Sequence, residues 1–309
     1  MSTYLFMPSQ CFTHDTGYGH PECTERLHVI ERTLSSETFA YLLRDESGPA
    51  TTEQLERAHD SDYIARILAL DGCPEPVELD EDTVISAGSV QAALFAAGAA
   101  CQAVDKVMSG GARNAFCAIR PPGHHAEADK AMGFCLFNNA AVAALQAREI
   151  HGVCRVAVID FDVHHGNGIQ SIFWNDHNLF YISMHEDGGF PRTGHSAETG
   201  AQDNILNVAL HHGAGTTEMQ HAWTDRIEAR LQDFGPELII ISAGFDGHQR
   251  DRMAGLNYTT MDYAWLTEKI VKIANQSCKG RVVSLLEGGY DLPSLAAAVG
   301  VHVKVMMEI

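Results

Sequence analysis

The stretch Val156-Ala-Val-Ile-Asp-Phe-Asp-Val-His-His-Gly166 decides the fold class of this 309-residue chain. Its first six residues are nearly all apolar, as is typical of a strand that is covered on both faces of a parallel sheet. Asp162 and His164 follow directly, so polar side chains collect where the strand ends. In open α/β folds, functional groups lie just beyond the carboxyl ends of the strands. The stretch therefore predicts a buried parallel strand with a functional site at its end.

Four further apolar runs have the same design, and each leads into residues that can carry chemistry. The predicted strands 115–119, 179–184, 238–242 and 282–286 lead into His124-His125, His185-Glu186-Asp187, Asp246 and Glu287-Gly-Gly-Tyr290, respectively. Helical patterns lie between the strands, at residues 89–108, 139–149, 216–234, 261–277 and 295–308. This alternation predicts an α/β fold with crossover helices. No Pro/Gly/Ser-rich linker divides the chain, so residues 1–309 are predicted to form a single domain.

Composition and charge limit the classes of function. The formal net charge of -19 argues against nucleic-acid binding, which needs a basic patch. The same charge would attract cationic substrates, although solubility or adaptation to a salty environment also explains it. We find no secretory signal, and no apolar run reaches the ~18–20 residues of a membrane helix. The eight scattered cysteines form no Cys-x-x-Cys pair, which favours reduced thiols in a cytoplasmic protein.

The strand end at Asp160-Phe-Asp162-Val-His164 has the pattern of a metal site. Alternate residues of a strand point the same way, so these three side chains start on one side of the sheet. An Asp-x-His pair offers a carboxylate oxygen and an imidazole nitrogen, which suits zinc, and Asp246 is a candidate third ligand. Three protein ligands leave an open position, as in catalytic sites. A zinc ion there would lower the pKa of bound water to ~7 and polarise a substrate carbonyl.

The other strand ends supply candidates for proton transfer. His124 and His125 follow a rigid Pro-Pro-Gly turn, and two histidines near a metal are candidates for general base and general acid. Each needs a partner on its second ring nitrogen, and Asp160 and Asn167 are candidates for one partner each. Tyr290 follows two glycines that permit close approach of the backbone, and its hydroxyl is a candidate donor to a developing oxyanion.

Taken in order, five motifs resemble the histone deacetylase family, most closely its class II and bacterial members. They are Arg120-Pro-Pro-Gly-His-His-Ala126, Gly133-Phe-Cys-Leu-Phe-Asn-Asn139, Asp160-Phe-Asp-Val-His-His-Gly-Asn167, Ser242-Ala-Gly-Phe-Asp246 and Glu287-Gly-Gly-Tyr290. His20-Pro-Glu22, Arg26-Leu27 and Leu79-Asp-Glu-Asp-Thr83 fit as well, so the resemblance extends from His20 to Tyr290. It implies an arginase-like α/β fold with a central eight-stranded parallel sheet. It also implies a zinc-dependent amidohydrolase that releases acetate from an acetylated amine.

The resemblance implies a role for each matching residue. The implied zinc ligands are Asp162, His164 and Asp246, and the implied catalytic residues are His124, His125, Asp160, Asn167 and Tyr290. Among these, His125 matches the general base and proton donor, and His124 matches its electrostatic companion. Asp160 and Asn167 match their respective partners, and an asparagine at this position is typical of class II. Tyr290 matches the residue that polarises the scissile carbonyl.

The resemblance also implies a substrate channel and a second cation site. The channel residues that it implies are Gly133, Phe134, Phe190, Met253 and Gly288, with the two phenylalanines as aromatic walls around the methylene stem of the substrate. A structural potassium ion is implied at Asp160, Asp162, His164, Ser183 and Met184. The expected substrate is an acetylated lysine in a peptide or protein, or an acetylated small amine.

Three alternative functions agree less well with the sequence. A binuclear manganese hydrolase of the arginase type would need carboxylates where this chain has Gly166 and His248. A non-catalytic protein on this fold would have lost Tyr290 or a metal ligand. Polyamine-selective relatives place a glutamate where this chain has Met253, which favours acetyl-lysine. Acidic rim groups would still suit a diamine, and the candidates are Glu22, Glu186, Asp187 and Asp251.

Two segments depart from the usual family pattern. The segment Gly247-His-Gln-Arg-Asp-Arg-Met253 stands where relatives commonly have Ala after the metal-binding Asp, and Asp-Pro before an apolar residue. Leu210-His-His-Gly213 stands where Pro-Pro-Gly is common. Both segments are expected near the substrate rim, so they bear on specificity and leave the metal chemistry intact.

Overall fold

An eight-stranded parallel sheet forms the centre of the protein in the computed structural model, which describes residues 2–308. The strands are β1 Thr3–Phe6, β2 Leu43–Asp45, β3 Val77–Glu78, β4 Val84–Ile85, β5 Asn114–Cys117, β6 Val156–Asp160, β7 Leu179–Glu186, β8 Ile205–Leu210, β9 Leu238–Ala243 and β10 Val282–Leu286. The sheet order is β2-β1-β5-β10-β9-β6-β7-β8, whereas β3 and β4 form a separate antiparallel pair. The predicted eight-stranded parallel sheet is therefore confirmed.

Helices flank the sheet. They are α1 Glu25–Leu34, α2 Thr52–Glu56, α3 Ser61–Leu68, α4 Ser89–Met108, α5 Asn139–His151, α6 Asn167–Phe173, α7 Thr216–Ala222, α8 Glu228–Phe234, α9 Thr260–Ser277 and α10 Leu292–Glu308. Short 3-10 helices lie at Ser9–Thr13 and Glu37–Phe39. Among residues 2–308, no helix combines the length and the apolar character that crossing a bilayer would require.

The central strands are apolar because helices cover both of their faces. Every residue of β6 and β9 is buried, which explains their continuous runs of Val and Ile. On one side α4 and α5 pack together and contact β5, β6, β9 and β10. In addition, α9 packs against α10, and α10 packs against α1. The core therefore lies along the middle of the sheet, and the strand ends remain available for a site.

The predicted elements agree with the structure, apart from their ends and one interruption. The helix α4 and the strand β10 have the predicted bounds, and the other predicted strands differ at their ends by one or two residues. The strand β5 ends at Cys117 instead of residue 119 because its neighbour β1 ends at the paired residue Phe6. The predicted single helix 216–234 is interrupted by a π-helical turn at Trp223–Ile227, whose two end residues are both buried.

A buried charged cluster ties the N-terminal segment to the sheet. The Glu22 carboxylate accepts hydrogen bonds from Arg26 Nη1 at 2.8 Å and from Arg120 Nε and Nη2 at 2.5 and 2.7 Å. Arg26 in turn donates to the carbonyl oxygens of Glu287 and Gly289, at 2.5 and 2.7 Å. The prediction that Glu22 is an acidic rim group is wrong, because the side chain is fully buried and both arginines use its charge.

Replacing Glu22 by glutamine is expected to lower the free energy of unfolding at pH 7 by about 3 kcal/mol, because it leaves two buried arginines without a counter-charge. Urea denaturation would measure the change. The substitution Glu53→Gln is a suitable control, because Glu53 is 84% exposed in its pair with Arg57 and should contribute less than about 0.5 kcal/mol. A Glu22→Gln variant as stable as the control would contradict this account.

The same cluster predicts an acid-sensitive part of the stability. Burial alone would raise the pKa of Glu22, but the charges of Arg120 and Arg26 outweigh it and lower this pKa from 4.5 to about 2. A folded pKa below the unfolded value means that the unfolded chain binds the proton more tightly. The stabilisation is therefore fully present above about pH 4.5 and is lost as the pH falls toward 2. Glu22→Gln should remove this dependence, as unfolding at several acidic pH values would show.

Candidate active site

The residues that the sequence singles out meet at one edge of the sheet. His124 and His125 follow β5, Tyr290 follows β10, Asp246 follows β9, and His164 follows β6. These four strands are neighbours in the order β5-β10-β9-β6, and all run parallel. Their carboxyl ends therefore lie side by side, and side chains from four distant segments converge there.

Asp162, His164 and Asp246 form a group that could hold one metal ion. One ligand atom from each lies within 4.8 Å of the other two. His164 Nδ1 is 3.0 Å from Asp162 Oδ1 and 3.1 Å from Asp246 Oδ2. Asp246 Oδ2 is buried and has no hydrogen-bond partner of acceptable geometry among residues 2–308. A buried carboxylate oxygen without such a partner normally has another ligand, and a cation supplies one.

Backbone amides orient both carboxylates of this group. The amides of His164 and Gly288 donate to Asp162, at 2.9 Å to Oδ1 and 2.8 Å to Oδ2, and Val163 N donates to Asp246 Oδ1 at 3.0 Å. Gly288 also has to be glycine, since an added Cβ would lie 2.6 Å from Asp162 Oδ2 and overlap Asp246 Oδ2. Hydrogen bonds to a metal ligand, such as these, orient the ligand before the ion binds.

His124 is held by the carboxylate of Asp160. Its Nδ1 donates to Asp160 Oδ2 at 3.1 Å, and the hydroxyl of Tyr181 donates to the same oxygen at 2.9 Å. Burial alone would lower the pKa of His124, but the charges of Asp162 and Asp160 outweigh it and raise this pKa to about 10. His124 is therefore suited to carry a positive charge.

His125 is held by an amide instead of a carboxylate. Asn167 Nδ2 donates to Glu127 Oε1 at 2.7 Å, which turns Asn167 Oδ1 toward His125 Nδ1, 2.9 Å away. The Nδ1 atom of His125 is therefore the protonated one, and Nε2 keeps a free lone pair. Burial, together with the charges of His124 and His164, holds the pKa of His125 well below 6.5. The ring is therefore suited to accept a proton as a neutral base.

Tyr290 stands beside this group, with one contact to its backbone and one to its ring. Its amide donates to Asp251 Oδ2 at 2.6 Å, and the Arg26 guanidinium lies 5.0 Å from the centre of its ring. Burial and the charge of Asp246 raise the pKa of its phenol well above 10, so the hydroxyl keeps its proton and can donate a hydrogen bond.

An aromatic-walled channel leads to these groups. The Phe134 ring is 6.0 Å from the Tyr290 ring, and the Phe190 ring is 5.1 Å from the His125 ring. Gly133 and Phe134 both have positive φ, at 56° and 67°. A Cβ at Gly133 would overlap the His125 ring and lie 3.0 Å from Phe190, so only glycine lets the wall lie this close. The structure thus places the predicted channel residues Gly133 and Phe190 against the candidate base His125, and Phe134 beside Tyr290.

Comparison with known proteins identifies the family. The model of the histone deacetylase domain matches residues 20–306. The chain belongs to the histone deacetylase family. One similar member is the histone deacetylase-like amidohydrolase of Pseudomonas aeruginosa, which is 38% identical over 278 residues and is matched over 88% of this chain and 73% of its own length. The chloroplastic histone deacetylase 14 of Arabidopsis thaliana is 36% identical over 301 residues, with 91% of this chain and 71% of that protein covered.

A solved structure has the same fold. The crystal structure of the HDA15 HD domain aligns with a TM-score of 0.92 and 31% sequence identity, over 99% of this chain and 88% of that one. Family and fold therefore confirm the resemblance predicted from the motifs. As a member of the histone deacetylase family, the protein is a hydrolase with deacetylase or amidohydrolase activity.

The rim of this deacetylase domain differs from the prediction. Asp251 is only 7% exposed, and its carboxylate accepts hydrogen bonds from the amides of Met253, Tyr290 and Asp291. The prediction that it is an acidic rim group is therefore wrong, since it holds the loop together from inside. Glu186 is partly buried and accepts from Gly255 N at 2.8 Å, whereas Asp187 is exposed. Met253 is 40% exposed, in agreement with a rim position.

Two supporting residues of the deacetylase site, Glu287 and Tyr181, were given no role from the sequence. Glu287 accepts from the amides of Gly123 and His124, at 2.7 and 3.1 Å, so it holds the turn that carries the histidine pair. Tyr181 fixes Asp160, as described above. A signal was present for Glu287, since it is an acid directly after an apolar strand and next to two glycines.

The potassium site implied by the resemblance stays a prediction. Ser183 pairs with Asp160 in the parallel register of β6 and β7, and Met184 follows it, so the implied residues are neighbours. Ser183 Oγ lies 2.8 Å from His185 Nδ1.

Proposed function

We propose that the protein is a zinc-dependent deacetylase that hydrolyses the acetyl amide of N-acetyl-lysine in peptides or proteins, giving a free amine and acetate. One observation carries the proposal. The group formed by Asp162, His164 and Asp246 lies beside His125, whose Nε2 is free, at the base of a channel walled by Phe134 and Phe190. An unbranched side chain with a terminal amide fits such a channel better than a bulky substrate does.

The donor set supports zinc. One imidazole nitrogen and two carboxylate oxygens are ligands that zinc accepts, and three protein ligands leave an open position for substrate. Within residues 2–308, no other group of three His, Cys, Asp or Glu side chains has the spacing of a metal site. Gly166 and His248 stand where a second metal would need carboxylates, which supports a mononuclear centre.

The mechanism follows from the position of each side chain. When bound, the zinc ion would supply a Lewis acid that polarises the acetyl carbonyl and makes water more acidic. His125 Nε2 accepts the proton of the attacking water, while Asn167 holds the ring through Nδ1. His124 is held by Asp160 and favours a positive charge. This charge would stabilise the negative charge that develops on the carbonyl oxygen of the substrate. His125 then returns its proton to the leaving amine nitrogen, so the proton balance closes within the site.

Replacing Tyr290 by phenylalanine is expected to lower kcat by about 10²-fold or more. The hydroxyl donates to the carbonyl oxygen as negative charge develops on it, and one such donor typically supplies this much. The KM should change much less, since the ring still lines the channel. Steady-state kinetics on an acetyl-lysine peptide would separate the two constants. Near-normal turnover would exclude the oxyanion role.

The decisive assay compares an acetyl-lysine peptide with N-acetylputrescine, using zinc-loaded protein with and without a hydroxamate chelator. We expect faster, hydroxamate-sensitive turnover of the peptide, because Met253 offers no carboxylate to a distal ammonium and because Glu22 and Asp251 are committed elsewhere. Faster turnover of the acetylated diamine would instead assign the protein to polyamine deacetylation. If the zinc-bound protein hydrolyses neither substrate, the proposed reaction is refuted.

The bound potassium ion is part of the same proposal. The residues that would hold it are Asp160, Asp162, His164, Ser183 and Met184. Metal analysis after dialysis against sodium or potassium buffers would test for it.

A further inference from the structure

A cavity of about 620 Å³ opens at the channel mouth. Its lining includes Pro21, Arg250, Arg252, Met253, Tyr290 and Asp291. Tyr290 belongs both to this cavity and to the candidate active site, so the cavity adjoins the site and offers room for the part of a substrate that extends beyond its acetyl group. The volume falls within the range of sites that bind small molecules or peptide side chains. The mouth is therefore placed to read the part of the substrate next to the acetylated lysine.

Four charged side chains line the cavity, and the two acids are already engaged. Asp251 is nearly buried, and its carboxylate accepts three backbone hydrogen bonds. Asp291 accepts from the amide and hydroxyl of Ser294, at 3.0 and 2.6 Å. Arg250 is exposed and has only a distant contact with Asp291, at 3.7 Å. Arg252 is exposed, and no carboxylate among residues 2–308 lies within 4.0 Å of it.

Asp251 also fixes where these arginines stand. Its carboxylate joins the Met253 amide to the amides of Tyr290 and Asp291, so the loop 250–253 is held against the segment that carries the candidate oxyanion donor. Arg250 and Arg252 flank this anchored residue. The backbone that carries both arginines is thus anchored at the mouth of the channel.

We propose that Arg252, supported by Arg250, binds a carboxylate of the substrate just outside the channel, so that the enzyme prefers acetyl-lysine next to an acidic group. This inference rests on the proposed deacetylation. A guanidinium offers a planar fork of donors that matches a carboxylate. The carboxylate can come from an acidic residue beside the acetyl-lysine or from the α-carboxylate of acetyl-lysine itself.

The net negative charge of the protein would by itself favour basic substrates, whereas the proposal predicts a preference for acidic ones. A chain with a formal charge of -19 should attract basic peptides and repel acidic ones through its overall field. Recognition by Arg252 has the opposite effect and acts only at short range. A preference for acidic substrates therefore cannot arise from the overall charge, and a preference for basic ones would indicate that the overall field dominates.

The test uses amidated seven-residue peptides with a central acetyl-lysine flanked by Glu, Gln or Lys. We expect kcat/KM for the Glu peptide to exceed that for the Gln peptide by about fivefold at low salt, as for a partly exposed charged pair. Arg252→Gln should remove the preference, and Arg252→Glu should reverse it toward the Lys peptide. Arg226→Gln, at an exposed arginine outside the mouth, is the control and should keep the preference. Free Nε-acetyl-lysine compared with its amide tests the second source of the carboxylate.

Fluorescence anisotropy of the same labelled peptides separates this inference from the proposed reaction. Tighter binding of the Glu peptide that is lost in Arg252→Gln supports the inference even if neither peptide is hydrolysed, and in that case only the reaction fails. Hydrolysis of all three peptides at equal rates, with equal affinities, overturns the inference and leaves the deacetylase standing. A preference that survives both Arg252→Gln and Arg250→Gln also overturns it.

Discussion

Replacing His125 by glutamine is expected to lower kcat for deacetylation by about 10³-fold, within the range that a general base typically supplies. His125 is the ring whose Nδ1 is paired with an uncharged amide, that of Asn167, and whose Nε2 keeps its lone pair. Burial and the neighbouring charges keep it neutral. His124 is the poorer base, because Asp160 and Asp162 favour its protonated form. Glutamine fills similar space and cannot accept and return a proton in this way.

Single-turnover and steady-state kinetics would measure this loss of turnover. Two controls test whether it results from loss of the base and not from damage to the site. The zinc content of His125→Gln should equal that of the wild type, which shows that the metal group is intact. His124→Gln should lose less activity, because His124 acts through its charge and does not carry the transferred proton. A His125→Gln variant with more than a tenth of wild-type turnover would exclude His125 as the base.

The strand ends show what could be predicted from sequence. Residues 156–161 are apolar except for Asp160 and are followed by Asp162 and His164, and a similar apolar run precedes Asp246 and Tyr290. Parallel pairing of β5, β10, β9 and β6 brings these ends together without any further assumption. The convergence of the candidate site therefore follows from local patterns and one rule about parallel sheets. Residue types at the strand ends gave the candidate metal ligands, the histidine pair and the oxyanion donor, and the family motifs assigned the base to His125.

The remaining features depend on contacts between residues far apart in the sequence. Glu22 looks like a surface acid, but its partner Arg120 lies 98 residues away, and Arg26 reaches Glu287 across 261 residues. The strand β8 was missed because Asn207 interrupts its apolar run. Its side chain is buried and donates to Gln170 Oε1 at 2.7 Å. A polar residue whose hydrogen-bond partner is so distant in the sequence gives no local signal, so neither the cluster nor the strand could be predicted from sequence patterns.

Replacing Asp246 by asparagine is expected to weaken zinc binding by at least about 100-fold, beyond what loss of an outer hydrogen bond to a metal ligand causes. Asparagine keeps the volume and can still accept the hydrogen bond from Val163 N at Oδ1. It removes the charge at Oδ2, the buried atom that has no hydrogen-bond partner of acceptable geometry among residues 2–308. Zinc stoichiometry after dialysis and competition with a chelator would measure the change. Asp262→Asn is the matched control, because Asp262 is equally buried but accepts from Thr259 and Thr216.

The stability of the same variant should change in opposite directions with and without zinc. Burial and the charge of Asp162 raise the pKa of Asp246 from 3.8 to about 6. A folded pKa above the unfolded value means that the carboxylate destabilises the zinc-free fold increasingly as the pH rises from about 4 to 6. Asp246→Asn should therefore stabilise the zinc-free protein at pH 7, by at least about 1 kcal/mol. With zinc, it should be less stable than the wild type, because it loses the stabilisation that a bound ligand gives. If Asp246→Asn is less stable than the wild type both with and without zinc, Asp246 stabilises the fold itself. If it is more stable without zinc and less stable with zinc, the carboxylate of Asp246 is a metal ligand that destabilises the zinc-free fold.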